Sequence, residues 1–436
     1  MGLSPLRALA GRAPVPVFVV CGLGGREVAE ATRLMPGVEV VDSPRSAAVL
    51  LVVGELTEAL VAPIQRLHDQ LPTPRASLWW RPGTGGVDLE AMVPGLVVGE
   101  PGDGPGLRRL FTDLIGGRRG SSPPALPDVE TNPWRGIGPY GQGGAGMTGG
   151  VPYGHPIPGW AEDRDGLKLD QLAFRVGPAF PPLPAGLILD VQVQGDVVQH
   201  ATVGPNPFST GPDEAVRPVV RPAIFATALR QPVRVADLEL ARARHHLSWA
   251  AGALRLHGLV AFGARVHRTA ADLGAQNTTD VAQIVRDLLR RRSLRAALSG
   301  VGAMREVAPP GLVARAAGAT GDARTADPAY TGLGFEPLIG SGGDDAWGRF
   351  RQRLGEAQQA VHLAATAGDR LREPGGPLEG PRGPLSTGVA APSVALLAAL
   401  PAVLEGLEWG DAMATVVSLD IDLEEAAQAE ALEPTG

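Results

Sequence analysis

A glycine-rich loop followed by an amphipathic pattern is the first place in this sequence where chemistry could occur. After the apolar run GLVVG, residues 99–106 contain four glycines and two prolines, and apolar residues then recur at helical spacing up to Ile115. Such loops often hold phosphate, because backbone N–H groups and the positive end of the helix point at the ligand. Here Glu100 and Asp103 would face the phosphate, and the spacing matches neither phosphate-binding motif. The loop therefore does not predict a nucleotide site.

Four histidines lie in a long helical pattern and raise the question of a metal site. His245 and His246 are adjacent, and His257 and His267 follow. Adjacent helical residues project about 100° apart, and the spacing from His246 to His257 is about three turns, so neither pair would chelate one ion well. The pattern favours structural or solvent-facing histidines.

The single cysteine, Cys21, stands between the strand-like run VPVFVV and the sequence Gly-Leu-Gly-Gly. Ligands do bind at the carboxyl ends of strands in parallel sheets, but a lone cysteine there is more often a small buried residue than a nucleophile. One cysteine also excludes an intrachain disulfide and any protein-held cluster that needs several thiolates.

Two clusters of charge have ordinary structural explanations. The arginines of DVAQIVRDLLRRRSLRAAL lie on an amphipathic pattern, and form either a solvated face or a contact for an acidic partner or membrane surface. An acidic group, Asp420, Asp422, Glu424 and Glu425, lies near the C-terminal end. Neither cluster indicates a catalytic carboxylate pair.

Composition limits the class of protein. With 44% hydrophobic residues among 436, the chain can bury ordinary cores, so extensive disorder is excluded. A formal net charge of -7 argues against a general nucleic-acid binder. No apolar run reaches the roughly 18 residues of a membrane span, and we expect a cytoplasmic protein.

The elements that must position these residues fall into three parts. Residues 1–116 alternate short apolar strands with helical patterns, which predicts an α/β domain with a parallel, flavodoxin-like sheet. Residues 117–165 are rich in glycine and proline and are interpreted as a strap or linker. Their aromatic residues favour a strap held against a surface over a free tether: Trp134, Tyr140, Tyr153 and Trp160.

Residues 166–436 follow a different pattern. Apolar and polar residues alternate on both sides of Gly195, which predicts a hairpin. Helical spacing then dominates over 236–270, 279–299, 344–372 and 393–408. We therefore predict a mainly α domain with a small antiparallel sheet.

The segment from Ala48 to Arg75, AVLLVVGELTEALVAPIQRLHDQLPTPR, resembles the B-type subunit of the proton-pumping NADH:quinone oxidoreductase (complex I), which is akin to the small subunit of nickel–iron hydrogenases. The shared features are a strand, the Gly-x-x-Thr turn at Gly54 and Thr57, a helix with Ala-Pro, and a Pro-x-Pro-Arg segment. In that family four cysteines hold a [4Fe–4S] cluster, which the resemblance would place at the ends of these strands.

The cluster ligands are where this chain departs from the family. Glu100 stands where the last cysteine would be, Gly83 stands near the middle one, and only Cys21 remains near the first pair. One thiolate cannot anchor a four-iron cluster. We therefore interpret the glycine-rich loop as a cluster cradle without its ligands, and expect no metal and no resident cofactor.

The second half resembles the D-type subunit of complex I, which is kin to the hydrogenase large subunit. The similarity begins in the hairpin GPAFPPLPAGLILDVQVQGDVV and continues, in order, through several short motifs. The matched residues are Glu239, Arg242, His246 and Leu247; Arg315, Ala316, Gly318, Asp322 and Arg324; Gly343, Asp344, Arg349, Arg353 and Glu356; and Glu379, Pro381, Arg382, Gly383, Ala391, Pro392, Ser393, Ser418, Leu419 and Asp420. The candidate structural or quinone-chamber residues among them are Arg242, His246, Asp322, Arg324, Glu379 and Arg382.

The quinone-binding features are also altered. The family carries histidines in the hairpin turn, where this chain has Phe180, Pro181, Pro182 and Leu183, and the stretch that keeps its quinone-facing tyrosine is mostly missing between Thr202 and Val235. No cysteine pairs remain at the hydrogenase nickel positions. Arg242 and His246 lie one turn apart, and either join a polar network between helices or face solvent.

The resemblance implies a fusion of B-like and D-like modules, whose halves we expect to pack together. The leading hypothesis is a redox-inactive scaffold or coupling subunit in the peripheral arm of a complex I-like or hydrogenase-related assembly. It would dock on antiporter-like or complex I membrane subunits at the inner face of the cell membrane. An oxidoreductase subunit with an altered quinone pocket is the alternative, and a soluble enzyme unrelated to electron transfer is a third.

Overall fold

The structure is a computed structural model that describes residues 5–81, 87–128, 159–162, 166–181, 183–209, 222–274, 279–304, 311–340, 343–386 and 391–430. The N-terminal half, residues 5–128, is built on a parallel sheet. The C-terminal half, residues 159–430, combines a small antiparallel sheet with helices. This confirms the predicted fold class.

The N-terminal sheet has five parallel strands in the order β2-β1-β3-β4-β5, the order of a flavodoxin-like fold. The strands are β1 (Val15–Cys21), β2 (Val38–Val40), β3 (Val49–Val53), β4 (Ala76–Trp80) and β5 (Val97–Gly99). The helices are α1 (Pro5–Ala10), α2 (Arg26–Thr32), α3 (Glu58–Gln70), α4 (Leu89–Met92) and α5 (Gly104–Ile115).

The two central strands explain why this sheet forms. Every residue of β3 and β4 is buried, as expected for strands covered on both faces. Phe18, Leu50 and Trp79 contribute to one apolar cluster, and Leu51 and Trp80 contribute to a second. Side chains that alternate along each strand therefore supply both layers of the core.

The antiparallel sheet has the order β6-β7-β8-β9, and its strands are β6 (Gly159–Glu162), β7 (Lys168–Val176), β8 (Leu189–Gln194) and β9 (Val197–Val203). The predicted hairpin is β8 and β9. Gly195 has φ 63° in its turn, a conformation that glycine adopts without steric cost. Four further strands make two short pairs: β10 (Val233–Arg234) with β11 (Leu371–Arg372), and β12 (Leu378–Glu379) with β13 (Pro384–Leu385).

The C-terminal half carries ten helices in its described residues: α6 (Ala223–Ala228), α7 (Val235–Leu256), α8 (Val260–Asp272), α9 (Thr279–Leu289), α10 (Arg292–Leu298), α11 (Leu312–Ala316), α12 (Ala346–Thr366), α13 (Pro392–Leu404), α14 (Trp409–Leu419) and α15 (Leu423–Glu430). The long helices α7 and α12 pack against each other at the centre. Short 3-10 turns cover Pro44–Ser46, Ala323–Thr325 and Pro328–Tyr330.

Two long helical predictions were wrong in their extent. Residues 236–270 form α7 and α8, because Gly258, with φ 73°, ends the first helix with a left-handed residue. Residues 279–299 likewise form α9 and α10, since Arg291 is extended and begins a new helix.

Most of the predicted strap, including Trp134, Tyr140 and Tyr153, lies outside the described residues. At its start Ser121 and Ser122 bind Arg75, and the backbone of Ala125 donates to Asp69. At its end β6 pairs with β7, and Trp160 is 60% exposed, so this tryptophan is not the buried anchor that we expected.

The two halves share one apolar core. Leu56 and Leu60 from the N-terminal half belong to the same buried cluster as Leu187 and Phe208 from the C-terminal half. The hydroxyl of Thr57 donates to the backbone oxygen of Pro207, at 2.6 Å. Within the described ranges, no helix is both long and apolar enough to cross a membrane.

Candidate functional site at the junction of the two halves

The loop that follows β1 is fixed by the loop that follows β3. Leu23 and Glu55 exchange two backbone hydrogen bonds, of 2.7 and 2.8 Å. A Cβ on Gly22 would lie 2.1 Å from the carbonyl oxygen of Glu55, so only glycine allows this approach. The loop from Cys21 to Gly25 is therefore a rigid feature at the carboxyl end of the sheet.

This loop faces acidic residues of the C-terminal half. The backbone N–H of Gly24 donates to Glu424, at 3.1 Å. Arg26, at the start of α2, lies 3.6 Å from Asp420 and 3.5 Å from Asp422. In the complex I family that the sequence resembles, the corresponding loop carries the first cluster cysteines. Here the loop instead forms polar contacts between the halves.

Cys21 and Glu100, the two cluster positions that the structure describes, are not brought together. The register runs from Cys21 through Val53 and Trp80 to Gly99, so the ends of β1 and β5 are separated by three strand spacings, about 14 Å. Glu100 is exposed just beyond β5, and Gly83 lies outside the described residues. In the part of the chain that the structure describes, no group of three or more His, Cys, Asp or Glu side chains could hold a metal ion.

Cys21 is in an environment that keeps its thiol protonated. Burial raises the pKa of Cys21 to about 11, and the nearby Arg33 and Arg26 offset this only in part. The thiolate is the form of cysteine that attacks or binds metal. At neutral pH Cys21 is thus a poor nucleophile and a poor ligand.

Arg315 is at the centre of a buried network of charges in the C-terminal half. Its guanidinium lies 2.9 and 3.1 Å from the two carboxylate oxygens of Glu356, and 2.6 Å from Glu379. Burial would raise the pKa of Glu356, but the charge of Arg315 and the other neighbours hold it well below its usual range. The carboxylate is therefore ionised and paired.

Three further candidate residues, Arg242, Asp322 and Arg324, extend this network. Arg242 donates to Glu239 and to the backbone oxygens of Glu379 and Gly380. Arg324 binds Asp322, at 2.7 Å, and Glu239, at 3.2 Å. All these side chains are buried, so the network alternative for Arg242 is confirmed and the surface alternative is wrong.

His246 is buried beside the same network. Its Nε2 lies 3.7 Å from Glu356, and neither ring nitrogen makes a hydrogen bond. Burial lowers the pKa of His246 to about 3, although Glu356 opposes the shift. His246 is therefore a neutral core residue, in agreement with the structural interpretation of the histidines.

Asp420 organises a second cluster, at the junction. It accepts a hydrogen bond of 2.6 Å from His245 and one of 3.2 Å from Arg353, and Arg382 and Arg26 lie at 3.5 and 3.6 Å. Burial would raise the pKa of Asp420, but Arg382, His245 and Arg353 hold it well below its usual range.

The same cluster continues to Glu425. Ser393 donates to Glu425, at 2.8 Å, and Arg382 lies 3.1 Å from Asp422. Burial raises the pKa of Glu425 to about 7, even though Arg382 opposes it. The pattern of these acidic residues in the sequence had an ordinary explanation and did not indicate this site. The only signal that marked it was the match of Arg382, Ser393 and Asp420 to the D-type motifs.

A cavity of about 460 Å³ opens at the junction. Cys21, Arg26 and Arg33 line it from the N-terminal half, and Trp249 and Arg255 line it from α7. Its volume is in the range of small-molecule sites, about 300–1,000 Å³. Of the candidate residues, Cys21 reaches this cavity, whereas Glu100 and the Arg315 network do not.

Comparisons with known proteins find similar chains among solved structures, where 105 chains match. No protein-family model matches the chain, and no curated protein matches it. A solved structure of the membrane-bound sulfane sulfur reductase, an archaeal respiratory membrane complex, contains a similar chain. The similarity covers 59% of this chain and 98% of that chain, with 19% sequence identity and a TM-score of 0.43.

Proposed function

We propose that this chain is a redox-inactive scaffold or coupling subunit in the peripheral arm of a complex I-like, hydrogenase-related membrane assembly. The observation that carries the proposal is the contact between Gly24 and Glu424 in the loop after β1. In the family that the sequence resembles, this loop brings the first two cysteines to an iron–sulfur cluster. Here it binds a carboxylate of the other half of the same chain, which is a structural task.

The buried charges support a scaffold that keeps its parental architecture. Arg242, Arg315, Arg324, Glu356 and Glu379 occupy the positions that resemble the D-type motifs, and they bind one another or share partners in the core. A buried charge without its partner destabilises the folded state, so a network of this size requires the surrounding packing to be intact. We propose that the outer surface keeps the docking role of the parent subunits.

We propose that its partners are membrane subunits of the antiporter-like or complex I type, which the chain would contact at the cytoplasmic face of the membrane. The test is a tagged chromosomal copy, extraction of membranes in mild detergent, and native electrophoresis with mass spectrometry. The chain should sediment with membranes and migrate with such polytopic subunits at a fixed ratio. A monomer in the supernatant after membranes are sedimented would contradict the proposal.

The junction cavity favours a second candidate, an oxidoreductase subunit with an altered quinone pocket. Trp249, Phe208 and Leu183 give the cavity an apolar wall on which a ring could pack. A short-tailed benzoquinone would then bind the purified chain, and substitution of Trp249 would weaken its binding. Neighbouring genes separate the two candidates: antiporter-like subunits favour the scaffold, whereas flavin and iron–sulfur subunits favour the oxidoreductase.

A further inference from the structure

The part of the chain that contains α8, α9 and α10 is rich in arginine, whereas the chain as a whole is acidic. Residues 259–299 contain seven arginines and three aspartates, a net charge of +4, and the whole chain has a formal net charge of -7. Six of these arginines are exposed: Arg265, Arg268, Arg286, Arg290, Arg292 and Arg295. We call the exposed side of α8, α9 and α10 that carries them the basic surface.

The amphipathic pattern of α9 explains why its arginines face solvent. Ile284 and Leu288 are fully buried in the same apolar cluster as residues of α7 and α12. Arg286, Leu289 and Arg290 are three or four positions apart, and the backbone N–H of Arg290 still bonds to Arg286, so these three share the outer face of the helix. The outer face therefore combines positive charge with an apolar side chain.

Phe262 of α8 brings arginines from different helical segments together. The guanidinium carbons of Arg291 and Arg265 lie 4.5 and 5.9 Å from the centre of its ring. Both are therefore within cation–π range of one ring, and their charges are at most about 10 Å apart. Because Arg290 and Arg292 adjoin Arg291 in the chain, α8 and the α9–α10 junction contribute to one continuous surface.

The arginines of the basic surface have no acidic neighbour in direct contact. Exposed arginines can be paired elsewhere in this protein, as Arg175 is with Asp190 at 2.7 Å. Within the described ranges, the ion pairs involve other arginines, and no carboxylate lies within 4 Å of a guanidinium of the basic surface. Asp287 of α9 instead accepts a hydrogen bond from Gln283, which also binds Arg286. The surface therefore presents its positive charge to solvent.

Exposed apolar side chains accompany these charges. Leu289 is 39% exposed, and Val260, the first residue of α8, is 58% exposed. Clusters of about four to eight basic residues on amphipathic helices attract anionic lipid headgroups, while apolar side chains enter the boundary between headgroups and acyl chains. Charges more than about 8 Å away are screened at physiological ionic strength, so the negative charge of the rest of the chain does not cancel this attraction.

We propose that the basic surface binds directly to anionic phospholipids at a membrane surface. The lipid phosphates would accept charge-assisted hydrogen bonds from the arginines, and Leu289 and Val260 would contact the apolar part of the interface. Fluid lipids can arrange their phosphates under charges that are spread over three helices, whereas an acidic protein needs carboxylates at matching fixed positions. The distribution of charge therefore favours a bilayer. This contact goes beyond the proposed docking on membrane subunits and does not depend on it.

Vesicle flotation of the purified full chain tests the proposal. Vesicles of phosphatidylcholine alone are compared with vesicles that also contain about 30% phosphatidylglycerol, which supplies the anionic headgroup. The chain should bind the anionic vesicles at least tenfold more tightly, and raising the salt from about 0.1 to 0.5 M should weaken this binding at least tenfold.

Two results would overturn the proposal. Equal binding to the two kinds of vesicle would show that the charge has no role. Binding to soluble polyglutamate without binding to anionic vesicles would show that the surface recognises an acidic protein. Neither result would affect the proposed function, because co-migration with membrane subunits in detergent does not measure affinity for lipid.

Two matched sets of substitutions locate the contact. The first set removes four charges of the basic surface and should weaken binding to anionic vesicles at least tenfold: Arg286→Gln, Arg290→Gln, Arg292→Gln and Arg295→Gln. The control set makes the same change in net charge at exposed arginines of the N-terminal half and should bind as wild type does: Arg12→Gln, Arg45→Gln, Arg66→Gln and Arg109→Gln. Circular dichroism confirms that both variants are folded. An equal loss in the two sets, or wild-type binding in the first, would contradict the assignment.

Discussion

Arg315→Ala is expected to lower the free energy of unfolding by about 3–5 kcal/mol, because it leaves buried carboxylates without their partner. Glu356 and Glu379 are each about 1% exposed in their side chains and both bind this guanidinium. Glu356 lies on α12 and Glu379 on β12, and both side chains are covered by the packing around Arg315. Thermal and urea denaturation, followed by circular dichroism, measure the loss.

Two further variants show that the loss reflects the buried pairing. Arg315→Lys keeps a charge but cannot make the two parallel hydrogen bonds to Glu356, so its stability should lie between those of wild type and Arg315→Ala. Arg175→Ala removes an exposed arginine paired with Asp190 and should unfold as wild type does. An Arg315→Ala protein as stable as Arg175→Ala would mean that the network is not buried.

Asp420→Asn, at the junction, is expected to lower the free energy of unfolding by a similar amount, about 3–5 kcal/mol. The substitution preserves shape and suits the backbone, since Asp420 has φ 54° and asparagine adopts this left-handed conformation more readily than most residues. What it removes is the negative charge that Arg353, Arg382 and Arg26 share. Those cations would then be buried with too little counter-charge.

The pH dependence of this effect has a defined sign. The pKa of Asp420 in the folded protein lies well below its usual value, so its stabilising contribution is fully present above the unfolded pKa of about 4 and declines as the pH falls below it. The difference in melting temperature between wild type and Asp420→Asn should therefore be constant near pH 7 and narrow in acid. Asp190→Asn, at an exposed pair, is the control. A difference in melting temperature that does not change with pH would show that the substitution acts through packing and not through the charge of Asp420.

Local patterns were sufficient to predict the fold class. The apolar runs of β1 and β3, and the alternation around Gly195, specify strand type without any distant contact. Helix ends were harder, because the break at Gly258 depends on how α7 and α8 pack. Glycine within a helical pattern only lowers its stability, so the pattern alone does not fix a break.

The junction could not be predicted from spacing along the chain. Gly24 and Glu424 are 400 positions apart, and His245 and Asp420 are 175 apart, so only the folded structure pairs them. Acidic residues in a sequence are usually exposed, and burial of Asp420 or Glu425 depends on the arginines that surround them. The family resemblance identified several of these residues, but it did not indicate which of them bind each other.

We propose that the loop after β1 has a structural role and holds no cluster, and metal analysis of the purified chain is the test of this claim. After anaerobic purification, iron and acid-labile sulfide are assayed, and EPR spectra are recorded after reduction with dithionite. We predict iron well below one atom per chain and no cluster signal, also after incubation with iron and sulfide followed by desalting. About four irons and four sulfides per chain, with the EPR signal of a reduced [4Fe–4S] cluster, would contradict the claim.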